Sequence, residues 1–168
     1  MNMNNAMPIT ATRNALYLGL AMALVVGTAL AFEHIGGYIP CKLCLEQRTP
    51  YYIGTPLMLL AARSSHMKWP TCLTRGLLAI GGLLMAYGMV TAIYHAGVEW
   101  TWWAGPTDCT AAATNVTTNA NDLLGDLNAL KPPSCDKAAV RIFGISMAGW
   151  NVPASFVLML GSFRLATR

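Results

Sequence analysis

The sequence predicts an all-α integral membrane protein: a four-transmembrane-helix bundle with two outward-facing loops, the second long and containing a short amphipathic helix. Two observations predict it. The first is composition. Of 168 residues, 55% are hydrophobic and only 11% are charged, against about 25% charged in an average soluble domain. So little charge cannot coat a water-soluble globule, and so much apolar side chain does not stay disordered. The net charge is a modest +4, and no Lys/Arg run is present to track phosphates. Nucleic acid is therefore not an expected partner, whereas the lipid bilayer is. The second observation is segmentation into long uncharged stretches with charged boundaries, read as one domain over 1–168.

Asn14 to Phe32 carries no charge and gives a first helix over 14–33. The stretch is longer than the apolar core of a signal peptide (about 7–15 residues), and no small-residue cleavage site follows it, so it is read as a retained helix. Thr49 to Ala62, bracketed by Arg48 and Arg63, falls short of the roughly 20 residues that cross a hydrocarbon core. It crosses if it continues back through Leu45 toward Cys41, or if the bilayer thins around it; the expected helix is 45–63. Gly76 to Val98, interrupted only by His95, gives a helix over 76–98, and Ile142 to Phe163 one over 142–163. Asn151 and Pro153 inside the last read as a local packing break, which membrane helices tolerate.

Four crossings put both termini on one side, and charge identifies it. Arg13, Arg63, Lys68, Arg75, Arg164 and Arg168 fall on the side of the termini, and every Asp and Glu falls on the other side or at its boundary. Basic residues in short loops mark the cytoplasm, so the loops 34–44 and 99–141 face outward. Trp100, Trp102 and Trp103 follow the third helix, where aromatic rings favour the interface. Within the long loop, Leu123, Leu124, Leu127 and Leu130 share one helical face, and Asn121 or Asp122 caps its start. This is the expected amphipathic helix, lying on the membrane surface.

The five cysteines are divided by the bilayer: Cys41, Cys44, Cys109 and Cys135 outside, Cys72 in the cytoplasmic loop. Disulfides persist outside the cytoplasmic membrane, and four outer cysteines can form two bridges. Cys41-Lys42-Leu43-Cys44 is a C-x-x-C, the spacing of exchange-prone dithiols. Pro40 before a helix start, the adjacent Lys42, and Arg48 four residues beyond Cys44 all favour thiolate. A zinc site is disfavoured because the four cysteines are not two close pairs, and no resident metal is expected. A structural bridge explains Cys41–Cys44 poorly, since so small a loop stabilises little. For Cys109 and Cys135, structure and redox chemistry explain the residues equally well. Two bridges on one face suggest a relay, passing two electrons from a soluble partner at the loop to a lipid-soluble acceptor at the membrane edge. A quinone beside Arg48 meets those conditions, because the arginine can hydrogen-bond a carbonyl and stabilise developing anion. His95 is a second quinone-binding candidate, set against an interfacial histidine with no role. Cys72 reads as a small apolar filler or free thiol.

The ordered motifs resemble the disulfide bond formation protein B family, DsbB: Cys41-Lys-Leu-Cys44-Leu-Glu-Gln-Arg48-Thr-Pro-Tyr-Tyr; Tyr94-His95-Ala-Gly-Val-Glu99 with Trp103-Ala-Gly-Pro106-Thr-Asp-Cys109; and Cys135-Asp136 followed by Phe143-Gly-Ile-Ser-Met-Ala-Gly-Trp150-Asn151. Ala138-Ala139-Val140 departs from the family pattern, where many relatives carry an aromatic residue. The resemblance implies a four-helix protein of the bacterial inner membrane. Such a protein reoxidises a periplasmic DsbA-like thioredoxin-fold oxidase and passes the electrons to a membrane quinone (ubiquinone or menaquinone). It implies Cys109 as the residue joined to the partner, Cys135 as its bridge mate, Cys41 as the internal electron acceptor and Cys44 as the quinone contact, with Arg48 and His95 at the quinone. Two alternatives stand beside it. One is a structural membrane protein with two inert disulfides. The other is an enzyme like vitamin K epoxide reductase, against which the early position of the C-x-x-C argues.

Overall fold

A computed structural model of the protein describes residues 9–106 and 135–168. Among these are four helices, α1 (Ile9–His34), α2 (Lys42–His66), α3 (Thr71–Glu99) and α4 (Met147–Thr167), and a two-stranded antiparallel hairpin, β1 (Arg141–Ile142) and β2 (Ile145–Ser146). The expected amphipathic helix near 121–130 lies outside the described residues. Each helix packs on the next in chain order, and α4 returns to α1, which closes a ring of four.

The fully buried centre of the ring holds Met22 of α1, Met58 of α2 and Leu78 and Met85 of α3, with Leu158 of α4 packed on them. Small residues let the helices approach this closely. A Cβ on Gly82 would meet the Phe163 ring at 3.0 Å, and one on Gly19 would meet Met58 Cβ at 3.2 Å. The outer faces are the reverse of a soluble protein's: Leu24, Ile53, Leu83 and Val157, one on each helix, are all half or more exposed. α1 and α3 are long and apolar enough to cross a membrane.

The second helix does continue back past Leu45, to Lys42, and runs straight through Pro50 and Pro56. Its 25 residues span about 38 Å at 1.5 Å each, so the shortness of the uncharged stretch is not a shortness of the helix. Pro50 is fully buried and faces Gly88 of α3. The loop between α2 and α3 is correspondingly narrower than the charge pattern suggests, and Cys72 sits in the first turn of α3, exposed. Both helices end in Schellman turns. Trp69 N–H donates to Ser64 O and Lys68 N–H to Ser65 O; Trp102 N–H donates to Gly97 O and Thr101 N–H to Val98 O. Lys68 and Thr101 take the positive φ that glycine usually supplies there.

The expected start of the fourth helix at Ile142 is corrected to Met147. Residues 141–146 form the hairpin instead, turning at Phe143 and Gly144 with φ of 52° and 83°. Two consecutive left-handed residues make the tight turn of a two-residue hairpin. Ser146 then caps α4, its Oγ accepting from Gly149 N–H at 3.1 Å. An apolar run without charge hid a turn whose signal was Gly144 and a cap whose signal was Ser146.

Candidate functional site

The C-terminal ends of α1 and α3 and the N-terminal ends of α2 and α4 meet at one end of the ring, and the chemistry collects there. Cys41 is the N-cap of α2: its backbone is extended, and its Sγ accepts from Cys44 N–H at 3.3 Å. One turn of helix therefore brings the C-x-x-C together, with the two Sγ atoms 2.7 Å apart. A disulfide of about 2.05 Å needs an approach of under about 1 Å. Both residues precede Leu45, where the crossing is expected to begin. Their shared hydrogen bond separates the two thiols in acidity. That bond, with burial, raises Cys41 above the ordinary thiol range and lowers Cys44, whose backbone contact to Cys41 acts in the same direction.

His95 is 2% exposed, buried rather than interfacial. Its Nε2 lies 3.6 Å from Cys41 Sγ and 3.7 Å from Glu99 Oε1, one turn further along α3. Its Nδ1 is 2.6 Å from Gln47 Nε2. Gln47 Oε1 in turn accepts from Asn151 Nδ2 at 2.8 Å, and Asn151 Oδ1 accepts from the Tyr51 hydroxyl at 2.5 Å. Ser155 Oγ closes the chain 2.8 Å from Tyr51. The network thus runs from α4 through α2 to the imidazole on α3 and fixes the ring's orientation. The donor atoms of Cys41, Cys44 and His95 lie within 4.8 Å of one another.

A cavity of about 390 Å³ opens beside this cluster. Cys44, Arg48 and His95 form part of its wall, with Phe32, Tyr38, Ile39 and Trp150 supplying apolar surface and Ala139 and Val140 closing one side. Cys44 and Arg48, four residues apart, do share one face of α2. Arg48 forms an ion pair with Glu33 of α1 and donates from Nη2 to Ala29 O at 3.4 Å. The volume suits a ring-sized ligand, and its mostly apolar wall with a few polar groups is the usual make-up of a small-molecule site. The wall offers such a ligand a guanidinium, an imidazole and a thiol.

Cys135 is disulfide-bonded and 1% exposed, and it packs with Cys41, Leu43 and Val98 in one buried cluster. Its backbone also hydrogen-bonds His95. Cys109 lies outside the described residues. The structure therefore brings Cys41, Cys44, Arg48, His95 and Cys135 to one end of the molecule.

Sequence reasoning missed Gln47, Tyr51, Ser155, Glu33 and Glu99, and took Asn151 for a packing break. A signal was present. Positions 44, 47, 48 and 51, 95 and 99, and 151 and 155 each repeat at helical spacing, which puts polar side chains on single faces of otherwise apolar helices. An inward polar stripe in a membrane helix marks a site.

Comparison with known proteins agrees with the geometry. A disulfide bond formation protein B of Verminephrobacter eiseniae (strain EF01-2) is 29% identical over 85 residues, a match spanning 49% of this chain and 45% of that relative. No solved structure matches the chain. The family model described as disulfide bond formation protein DsbB matches residues 11–164, from the first turn of α1 to the last turns of α4, and by that measure the chain belongs to the DsbB family.

Proposed function

We propose that the chain is a quinone-dependent dithiol oxidase of the bacterial inner membrane. It reoxidises a periplasmic DsbA-like thioredoxin-fold oxidase and so supports disulfide bond formation. In this reading all four helices cross the bilayer, both termini are cytoplasmic and the redox cysteines are periplasmic. The outward apolar faces of all four helices support the crossings. The observation that carries the reaction is the placement of Cys41: it packs on the disulfide-bonded Cys135 on one side and touches Cys44, at the cavity wall, on the other.

The steps follow from ordinary thiol–disulfide exchange. A thiolate of the partner attacks Cys109 of a Cys109–Cys135 bridge, forming a mixed disulfide and releasing Cys135 as thiolate. The partner's second thiol displaces Cys109, and the partner leaves oxidised. Cys135 next attacks Cys41 of the Cys41–Cys44 bridge and releases Cys44 as the thiolate facing the cavity. Attack by Cys109 on Cys135 restores the loop bridge and leaves Cys41 and Cys44 reduced. A ubiquinone or menaquinone held in the cavity would supply a two-electron, two-proton acceptor, and Cys41 and Cys44 would return to the disulfide by giving it their two electrons and two protons. Arg48 and His95 would hold the acceptor in the cavity, and the Glu33 carboxylate holds Arg48 in the wall.

The test reads quinone absorbance while a reduced thioredoxin-fold partner is added. Cys44→Ser is expected to abolish quinone reduction and retain exchange with the partner, and Cys109→Ser to abolish exchange. Quinone turnover that survives Cys44→Ser overturns the assignment. Two bridges that resist reduction while the quinone never changes state leave the inert structural protein as the answer.

A further inference from the structure

Three soft or borderline ligands converge at the end of the ring. Cys41 Sγ, Cys44 Sγ and His95 Nε2 lie within 4.8 Å of one another, and Cys41 Sγ is 3.6 Å from the imidazole nitrogen. Bond lengths of about 2.3 Å to sulfur and 2.0–2.1 Å to nitrogen put a tetrahedral S–N pair at about this separation, and two tetrahedral sulfurs about 3.8 Å apart, so the Sγ atoms, 2.7 Å apart here, separate by about 1 Å to admit the ion. The site is buried: Cys41 and His95 are 5% and 2% exposed. The nitrogen facing the sulfurs is oriented from behind, because the Gln47 amide nitrogen holds the opposite ring nitrogen at 2.6 Å; a ligating histidine instead donates that second ring N–H to its outer-shell partner. Each of Gln47, Asn151, Tyr51 and Ser155 both donates and accepts. The chain can therefore reverse by turning two amides, leaving Nδ1–H on Gln47 Oε1; the imidazole must also give up its hydrogen bond to the Cys135 backbone for the Nε2 lone pair to face the ion. Glu99 adds a buried carboxylate 3.7 Å from Nε2, and its Oε2 has no hydrogen-bond partner among the described residues.

We propose that the reduced Cys41–Cys44 dithiol and His95 form a binding site for a thiophilic divalent cation such as Zn²⁺, which the oxidised protein lacks. Binding releases the two thiol protons and leaves two thiolates, an imidazole and the metal, with the fourth position open to water. No electron moves. The cation holds both sulfurs as ligands, so neither is free to re-form the disulfide, and turnover stops until the metal leaves. The inference rests on the dithiol chemistry proposed above, since an inert bridge never presents the ligands.

The full-length protein in detergent, reduced with a phosphine and kept anaerobic, is titrated with Co²⁺ alone. The expected result is a sulfur-to-cobalt charge-transfer band with the intense visible bands of tetrahedral cobalt, saturating at one equivalent. Both are absent from the oxidised protein and from Cys44→Ser, and retained in Cys72→Ser. His95→Ala keeps thiolate bands but shifts the visible ones. Equal binding by oxidised protein, or bands unchanged in Cys44→Ser, overturns the site. In parallel, Zn²⁺ at about ten times its Kd should lower quinone turnover by about tenfold, reversed by a chelator. Turnover without cobalt binding defeats this inference alone. Cobalt binding without any quinone turnover defeats the oxidase reading and leaves the site standing.

Discussion

At the scale of residues, the site depends on what stands behind the reacting groups. Gln47 is 6% exposed and is the link between His95 and Asn151. Gln47→Leu removes both hydrogen bonds while keeping the volume, and it leaves buried polar atoms unpaired at a cost of about 1–3 kcal/mol. The expected outcome is a lower thermal midpoint together with slower quinone reduction. Asn151→Leu should cost less in the Gln47→Leu background than in the parent, because one network is broken once; strict additivity would contradict the network. Arg48 depends on Glu33 in the same way. Arg48→Ala is expected to raise the KM for quinone more than that for the protein substrate, measured by varying each in turn. An equal rise in both would give Arg48 a folding role only. The cysteines and Arg48 were legible in the sequence because their types and spacing name a chemistry. Gln47 and Tyr51 were not, because a neutral polar residue in an apolar helix gains meaning only once its facing partners are known.

At the scale of elements, the sequence located each helix and misplaced its ends. Hydropathy sees side chains, whereas a helix end is decided by backbone hydrogen bonds and caps. Thus α2 starts at a cysteine cap, and α4 starts after a hairpin. The close approach of elements is equally invisible to composition, and two glycines separate the cases. At Gly97 an added Cβ falls within the Trp103 ring, whose Nε1 donates to Tyr94 O at 2.8 Å and whose plane stacks on Tyr94. At Gly27 an added Cβ meets nothing within 4 Å. Gly97→Ala is therefore expected to eject the indole, costing about 1–3 kcal/mol, with a red shift in tryptophan fluorescence. Gly27→Ala should be neutral or stabilise by up to about 1 kcal/mol through helix propensity. Thermal midpoints in one detergent decide the pair, and a Gly97→Ala protein as stable as its parent would mean that the indole does not rest on α3.

At the scale of the whole molecule, polarity is turned inside out along the sides and divided from end to end. The ring presents leucine, isoleucine and valine outward, and its polar groups gather inward at the end that holds Cys41 and His95. The opposite end carries a second, smaller set of buried hydrogen bonds: Thr12 with Ser65 at 2.8 Å, and Ser64 with Thr74 at 2.8 Å. These tie α1 to α2 and α2 to α3, near the basic residues Arg63, Lys68 and Arg75. Cys72 stands at this second end as an exposed free thiol, on the opposite side of the membrane from the C-x-x-C in the proposed orientation. That makes it a reporter of topology. A membrane-impermeant maleimide added to intact spheroplasts, with the redox cysteines oxidised, is expected to leave the Cys72 peptide unmodified by mass spectrometry. The same reagent after permeabilisation should modify it stoichiometrically, because the residue is exposed among the described residues. Modification in intact spheroplasts would reverse the orientation and place the dithiol in the reducing compartment. Its disulfide would not persist there, and the oxidase reading would fail with it.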